Sequence, residues 1–299
     1  MRSRLPDDHP LPRPRTRTRG ASVLAVTMLS AAALVTTVAS HVTVHAQAPA
    51  SPRPAAPAYR APRAGDGKPD LSGIWQAVNT ASWNLEDHPA TAGPVASLGA
   101  LGSRPAGLSV VQGGEIPYQP WALKQRDENA QKWLERDPAI KCYFPGVPRA
   151  TYMPFPFQIV QGHDTILLAY EFAATSRTLY VNGKGESPLD TWMGWSNARW
   201  EGETLVVDVK GFNDQTWLDA AGNFHSEQLH VVERYTRTGP DHLLYEATIE
   251  DPKVFTRPWT IRMPLYRRVE ANAQLLEFKC VEFAEELMYG HLTKKRTGN

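Results

Sequence analysis

From Phe157 onward the sequence is one strand-forming segment after another, and this constrains the fold more than any other feature. The segments are QIVQG, TILLAYEFA, RTLYVNG, ARWEGETLVVDVKG, EQLHVVERYTRTG, HLLYEATIED, TRPWTIRMPLYRR and LLEFKCVEF. Val, Ile, Leu, Thr and Tyr dominate them, and Gly, Asn, Asp and Pro clusters separate them. No helical pattern intervenes. Strands at such short spacing pair antiparallel and close into a barrel or stack as a sandwich. Asn182-Gly183 and Gly239-Pro240-Asp241 have the residues of tight hairpin turns. At the centre, Trp192–Phe212 leads through Glu201-Gly202-Glu203 into the apolar run Thr204–Val209.

The N-terminal part reads differently. Residues 1–20 carry six arginines, residues 21–40 carry no charge, and the small residues of VHAQA follow. That is the layout of a secretory signal cleaved after Ala46 or Ala48, giving a signal segment over 1–48. A stretch of roughly 20 apolar residues could also anchor in a bilayer. Its Ala, Ser and Thr content and the AxA-type site favour cleavage, so no stable anchor is expected in the mature chain. Residues 49–68 are rich in Pro and Ala and form an extended tether, and a single domain spans 69–299. Cleavage changes the net charge from +1 to −3, with 26 basic and 29 acidic residues left and no basic stripe. Nucleic acid is therefore not an expected partner. The expected location is periplasmic or extracellular.

One helix is expected, from Pro120 through WALKQRDENAQKWLERD to the stop at Pro138, with a thin apolar stripe that keeps it on the surface. A second short helix is expected in AEELMYGHLTKK. Between them, four prolines in KCYFPGVPRATYMPFPFQ forbid a helix and a central strand, so this stiff aromatic loop should pack across an opening or a sheet end. Cys142 and Cys280 are the two cysteines. In an exported chain their simplest use is one disulfide closing a long loop.

PDLSGIW, CYFPGVPR, RWEGETLVVD and HVVERYTRTGPDHLLYEATIEDP resemble a large family of exported bacterial proteins, most of them uncharacterised. The GxW start, the WEGxTLVV strand and the ERYTR…LLYEATI hairpin also resemble calycin (lipocalin-like) barrels. That resemblance implies an antiparallel meander barrel with a small-ligand cavity, to which the helices read above add one or two accessory helices. It implies no reaction, because such folds host carriers and enzymes alike.

Chemistry has few candidates. His225 lies in a loop with Asp219 and Glu227, and His230 lies on a strand beside Val232 and Arg234. If that face looked inward, His230 and Arg234 could bind and polarise an anion. If it looked outward, Leu229, Val231, Glu233 and Tyr235 would face the core, with Glu233 out of place among them. Spacing gives no metal motif, GxSxG elbow, P-loop or GxGxxG, so neither metal nor cofactor is expected. Trp192, Trp195, Trp200, Trp217 and Trp259 suggest an indole-walled pocket for an aromatic or apolar ligand.

Two functions follow. One is a cofactor-independent lyase that eliminates, dehydrates or decarboxylates a small aromatic or apolar acid. His225, His230, Tyr152 and Asp219 would move protons, while Arg149, Arg199, Arg234, Trp192, Trp195 and Trp217 would bind substrate. The other is a non-catalytic binder of hydrophobic compounds. A cavity holding His and Tyr near a buried Asp or Glu would favour the lyase, and a uniformly apolar cavity would favour the binder.

Overall fold

The computed structural model describes residues 59–93, 100 and 103–279. The signal segment, most of the tether, Cys280, His291 and the C-terminal helix expectation lie outside the described residues. Nine strands form a closed barrel in chain order: β1 (Gly73–Ala77), β2 (Phe157–Gln161), β3 (Thr165–Tyr170), β4 (Ser176–Val181), β5 (Trp195–Glu201), β6 (Thr204–Lys210), β7 (His230–Gly239), β8 (His242–Glu250) and β9 (Trp259–Arg267). β1 closes the ring on β9, with Trp75 opposite Arg267. The expected all-β barrel with few helices is what the chain forms.

A ring with an odd number of strands cannot alternate direction throughout, and here β4 and β5 run parallel, with Leu179 opposite Ser196. Asn182-Gly183 does make a tight turn, with Asn182 at φ 56 and the Gly183 N–H on Tyr180 O at 3.0 Å. It does not close a hairpin. A parallel neighbour needs a crossover, and residues 182–194 carry the chain from one end of the barrel to the other. Conversely, ARWEGETLVVDVKG is a hairpin rather than one strand: β5 and β6 are joined by Gly202-Glu203, with Gly202 at φ 60. Of LLEFKCVEF, residues 275–279 form no strand.

Strand direction sorts the connections into two ends. Short turns (162–164, 202–203, 240–241) occupy one end. Segments 78–93, 103–156, 171–175, 211–229 and 251–258 occupy the other, called here the capped end. At the turn end Trp75 is fully buried, its indole N–H on Leu71 O at 2.9 Å. The Arg237 guanidinium lies 5.9 Å from that ring and donates to Asp70 O at 2.7 Å and Pro240 O at 2.6 Å. Residues 59–68, expected as tether, are ordered here: Arg63 pairs with Pro69 along the backbone and with Glu203 at 2.7 Å.

At the capped end lie α1 (Pro120–Gln131), α2 (Trp133–Arg136) and α3 (Arg149–Tyr152). Pro120 opens α1 as expected, but the helix breaks at Lys132 (φ −117, ψ 27) and resumes as α2. Trp121 and Leu123 are exposed, as a surface helix requires. The proline-rich loop, expected to hold no helix, forms the single turn α3 in the gap between Pro148 and Pro154 and folds inward, with every residue of α3 buried. Gly222 lets loop 219–223 approach α1, since a Cβ there would stand 2.6 Å from Ala130 N and Arg126 O.

Candidate functional site

Alternation along β7 decides which side chains enter the barrel. Val231, Glu233, Tyr235 and Arg237 are buried and point in, whereas His230, Val232, Arg234 and Thr236 point out. Register carries the inward set to Val207 and Leu205 on β6 and to Ala247 and Tyr245 on β8. The interior is mostly apolar, but one charged residue sits in the middle of it. Glu233 is fully buried, and Arg177 from β4 reaches across to bind it. Tyr235 and Tyr245 donate to its other oxygen at 2.9 and 2.8 Å. Three donors on one carboxylate, one of them cationic, compensate for burying the charge.

The phenols answer the same field. Burial first, and then the Glu233 charge, hold the Tyr235 and Tyr245 hydroxyls well above the usual tyrosine range. Burial also pushes Tyr170 up to about 12, with Arg177 pulling the other way. All three are neutral donors at any physiological pH. Burial opposes the Arg177 charge, but Glu233 outweighs it and raises the arginine further.

α3 lies over this interior. Its Thr151 hydroxyl is 3.4 Å from Tyr235 Oη, and Tyr152 donates to Leu218 O at 2.7 Å. Arg149 makes a two-pronged ion pair with Asp137, both bonds 2.7 Å, within the core. Next to Leu218, Asp219 is fully buried and accepts from Leu85 N, Ala221 N, Asn223 N and Asn223 Nδ2. Burial pushes its carboxyl up to about 6 even though these N–H donors and Arg149 favour the charged form. Burial, reinforced by Asp219, raises Tyr152 well above the usual range.

The expected residues are thus partly gathered. Tyr152, Asp219 and Arg149 meet at the capped end. His225 is buried nearby but is held by Thr216, whose Oγ1 is 2.5 Å from Nε2, and by Ser226 O at 2.9 Å from Nδ1. Asp219 does not orient it. Burial holds the His225 imidazole below its ordinary value, so the ring is neutral, with Nδ1 donating to the Ser226 carbonyl and Nε2 accepting from Thr216. His230 lies on the outer face between Asp208 (3.0 Å) and Glu250 (3.5 Å). Arg199 and Arg234 also lie outside, both bound to Glu201. This corrects any inward placement of the His230–Arg234 face.

The tryptophans do not wall one pocket. Trp195 stacks on Tyr180 outside the barrel, with centroids 4.6 Å apart, and Trp192 stacks on Tyr143 at 5.0 Å. Trp217 is buried within the cap, while Trp259 points into the barrel. Cys142 starts the proline-rich loop, and no free cysteine occurs among the described residues. No helix among them is long and apolar enough to cross a membrane.

Sequence reading missed Arg177 and underused Glu233. The available signal was a carboxylate at an apolar position, between Val231 and Tyr235 on a strand that otherwise alternates cleanly. Fold and site define a closed all-β barrel whose interior carries a charged, phenol-rich centre beneath a capped end. No family model, curated protein or solved structure matches this chain.

Proposed function

We propose that the capped end of the barrel takes a small aromatic or apolar compound and acts on it as a cofactor-independent acid/base lyase, in an exported protein of calycin-like type. The observation that carries this reading is Asp219, a fully buried carboxyl poised at about 6 in one cluster with Tyr152 and Arg149. A group titrating near the working pH can both take and return a proton. Tyr152 stays protonated and supplies a donor, and Arg149 tempers the charge that develops. Elimination or dehydration asks for no more than these parts: a base for one proton and an acid for the leaving oxygen. Beneath them the interior is not uniformly apolar, because Glu233 lies among three tyrosines. Thr151 of α3 lies against Tyr235, so α3 is the element whose lifting would expose this interior to a substrate.

The alternative is a non-catalytic binder of hydrophobic compounds. It is favoured by the saturation of the same groups: Asp219 accepts four N–H bonds, Tyr152 is spent on Leu218, and both His225 nitrogens are engaged. The test is to incubate mature protein with an extract of aromatic and terpenoid metabolites and follow retention and mass change. Consumption with a pH–rate inflection at about 6 supports the lyase; retention without mass change supports the binder and removes the acid/base role. A Cys142–Cys280 disulfide is proposed with this reading, as a closure of the chain around the barrel.

A further inference from the structure

The inward-facing layer nearest the cap holds a set of buried polar atoms without a partner among the described residues: Arg177 Nε and Nη1, Tyr170 Oη, Ser196 Oγ and Trp259 Nε1. Their side chains belong to residues no more than 5% exposed, at the starts of β4, β5 and β9 and the end of β3. Register brings three of them together. Leu168 faces Arg177, which puts Tyr170 diagonal to the arginine, and Leu179 faces Ser196, which puts the serine one inward step beyond it. Phe157 and Tyr170, with rings 5.4 Å apart, supply an aromatic wall.

The chemistry of the set is one-sided. Guanidinium and indole N–H groups only donate, and the two hydroxyls can donate. A buried donor left without an acceptor costs about 1–3 kcal/mol, so a molecule seated here gains by presenting oxygen acceptors. Charge narrows the class. Arg177 is already balanced by Glu233, so a carboxylate added to the pair would leave a net negative charge in the barrel, which low-dielectric surroundings oppose. A carbonyl accepts the same hydrogen bonds at no charge cost.

We propose that the barrel interior binds a neutral, carbonyl-bearing apolar molecule, with Arg177 and Tyr170 as donors to its oxygen. The inference rests on reading the capped end as a small-molecule site, but not on turnover there. It replaces the acidic substrate expected from sequence, whose cationic anchors Arg199 and Arg234 lie on the outer face.

The experiment uses three matched probes on mature protein by equilibrium dialysis at pH 7.5: 2-acetylnaphthalene, 2-naphthoate and 2-ethylnaphthalene. The ketone is expected to bind at least tenfold more tightly than either of the others. Arg177→Lys keeps a cation for Glu233 and removes the two unpartnered guanidinium nitrogens; Tyr170→Phe removes one hydroxyl at constant shape. Each should erase most of the ketone's advantage over the hydrocarbon, with unchanged circular dichroism. Tighter binding of the naphthoate overturns the charge argument. Equal binding of ketone and hydrocarbon overturns the role of Arg177 and Tyr170 while leaving the small-molecule site standing. Retention of none of the probes, nor of any extract component, overturns both.

Discussion

Arg177 on β4 and Glu233 on β7 are three strands apart, yet their side chains meet in the middle of the barrel. The pair therefore ties opposite walls together, and two phenols bond its carboxylate. Removing one partner leaves an uncompensated charge, whereas removing both leaves a cavity that apolar atoms can fill. Glu233→Leu or Arg177→Met alone should cost about 3–5 kcal/mol. The double variant should lose less than the sum of the singles. Urea unfolding of the four proteins gives the coupling directly, and an additive cycle would mean that the pair does not act as a unit.

Two buried groups make stability depend on pH in opposite senses. Asp219 has its carboxyl raised from 3.8 to about 6, so the native state holds its proton more tightly than the unfolded chain. Its contribution is full below 3.8 and is lost as pH rises through about 6, by up to roughly 3 kcal/mol. The lowered His225 acts the other way: its contribution is present above the ordinary 6.5 and is lost as pH falls below it. Unfolding midpoints from pH 4 to 7 should therefore shift in the Asp219→Asn variant towards a stability that rises with pH. An unchanged profile would mean that Asp219 is not raised. At pH 7 the substitution itself should cost about 1–3 kcal/mol, because an amide nitrogen would face N–H donors.

The fold class was legible because strand segments with period-two burial are local signals, and β7 and β8 alternate almost perfectly. The parallel β4–β5 pair was not. Asn182-Gly183 makes a real turn, and only the closure of an odd-numbered ring determines that the chain crosses over instead of returning. The candidate site was half legible. Tyr152 and Arg149 were named from the proline-rich loop and Asp219 from the stretch before His225, and all three lie at the same end of the barrel because α3 and loop 219–223 both close the capped end. Asp219's partner Leu85 lies 134 residues away, a distance no spacing rule reaches, while Asp137 is only 12 residues from Arg149 and meets it because the chain folds back between them. The face of β7 was ambiguous because one face pairs His230 with Arg234 and the other embeds Glu233 among apolar residues. Burial of Glu233 required Arg177, and nothing in the β7 sequence points to β4.

His230, Arg234 and Arg199 provide the contrast. All three sit on the outer face, the two arginines in ion pairs with Glu201 and His230 in contact with Asp208, and all these partners are partly exposed. Exposed pairs of this kind contribute about 0–1 kcal/mol. Alanine at each position should shift stability by no more than that and leave ligand retention unchanged. A variant that folds but loses retention would move the site from the interior to this outer face.

Gly146 controls how closely the proline-rich loop can approach the cap. It holds φ +74, and a Cβ there would stand 2.5 Å from Thr216 Oγ1 and 2.8 Å from Thr216 Cβ. Thr216 is not free to retreat, because its hydroxyl is engaged with His225. Gly146→Ala should therefore strain the backbone, push α3 away from the opening and break the Thr216–His225 contact together. A loss of about 2–3 kcal/mol is expected, within the range of strained positive-φ sites. If α3 is the element that admits a ligand, the same substitution should speed ligand release more than it weakens the barrel. Hydrogen exchange separates the two effects: amides of α3 should lose protection while those of β7 and β8 keep it. Uniform loss across the barrel would show instead that α3 is part of the cooperative core and cannot open alone.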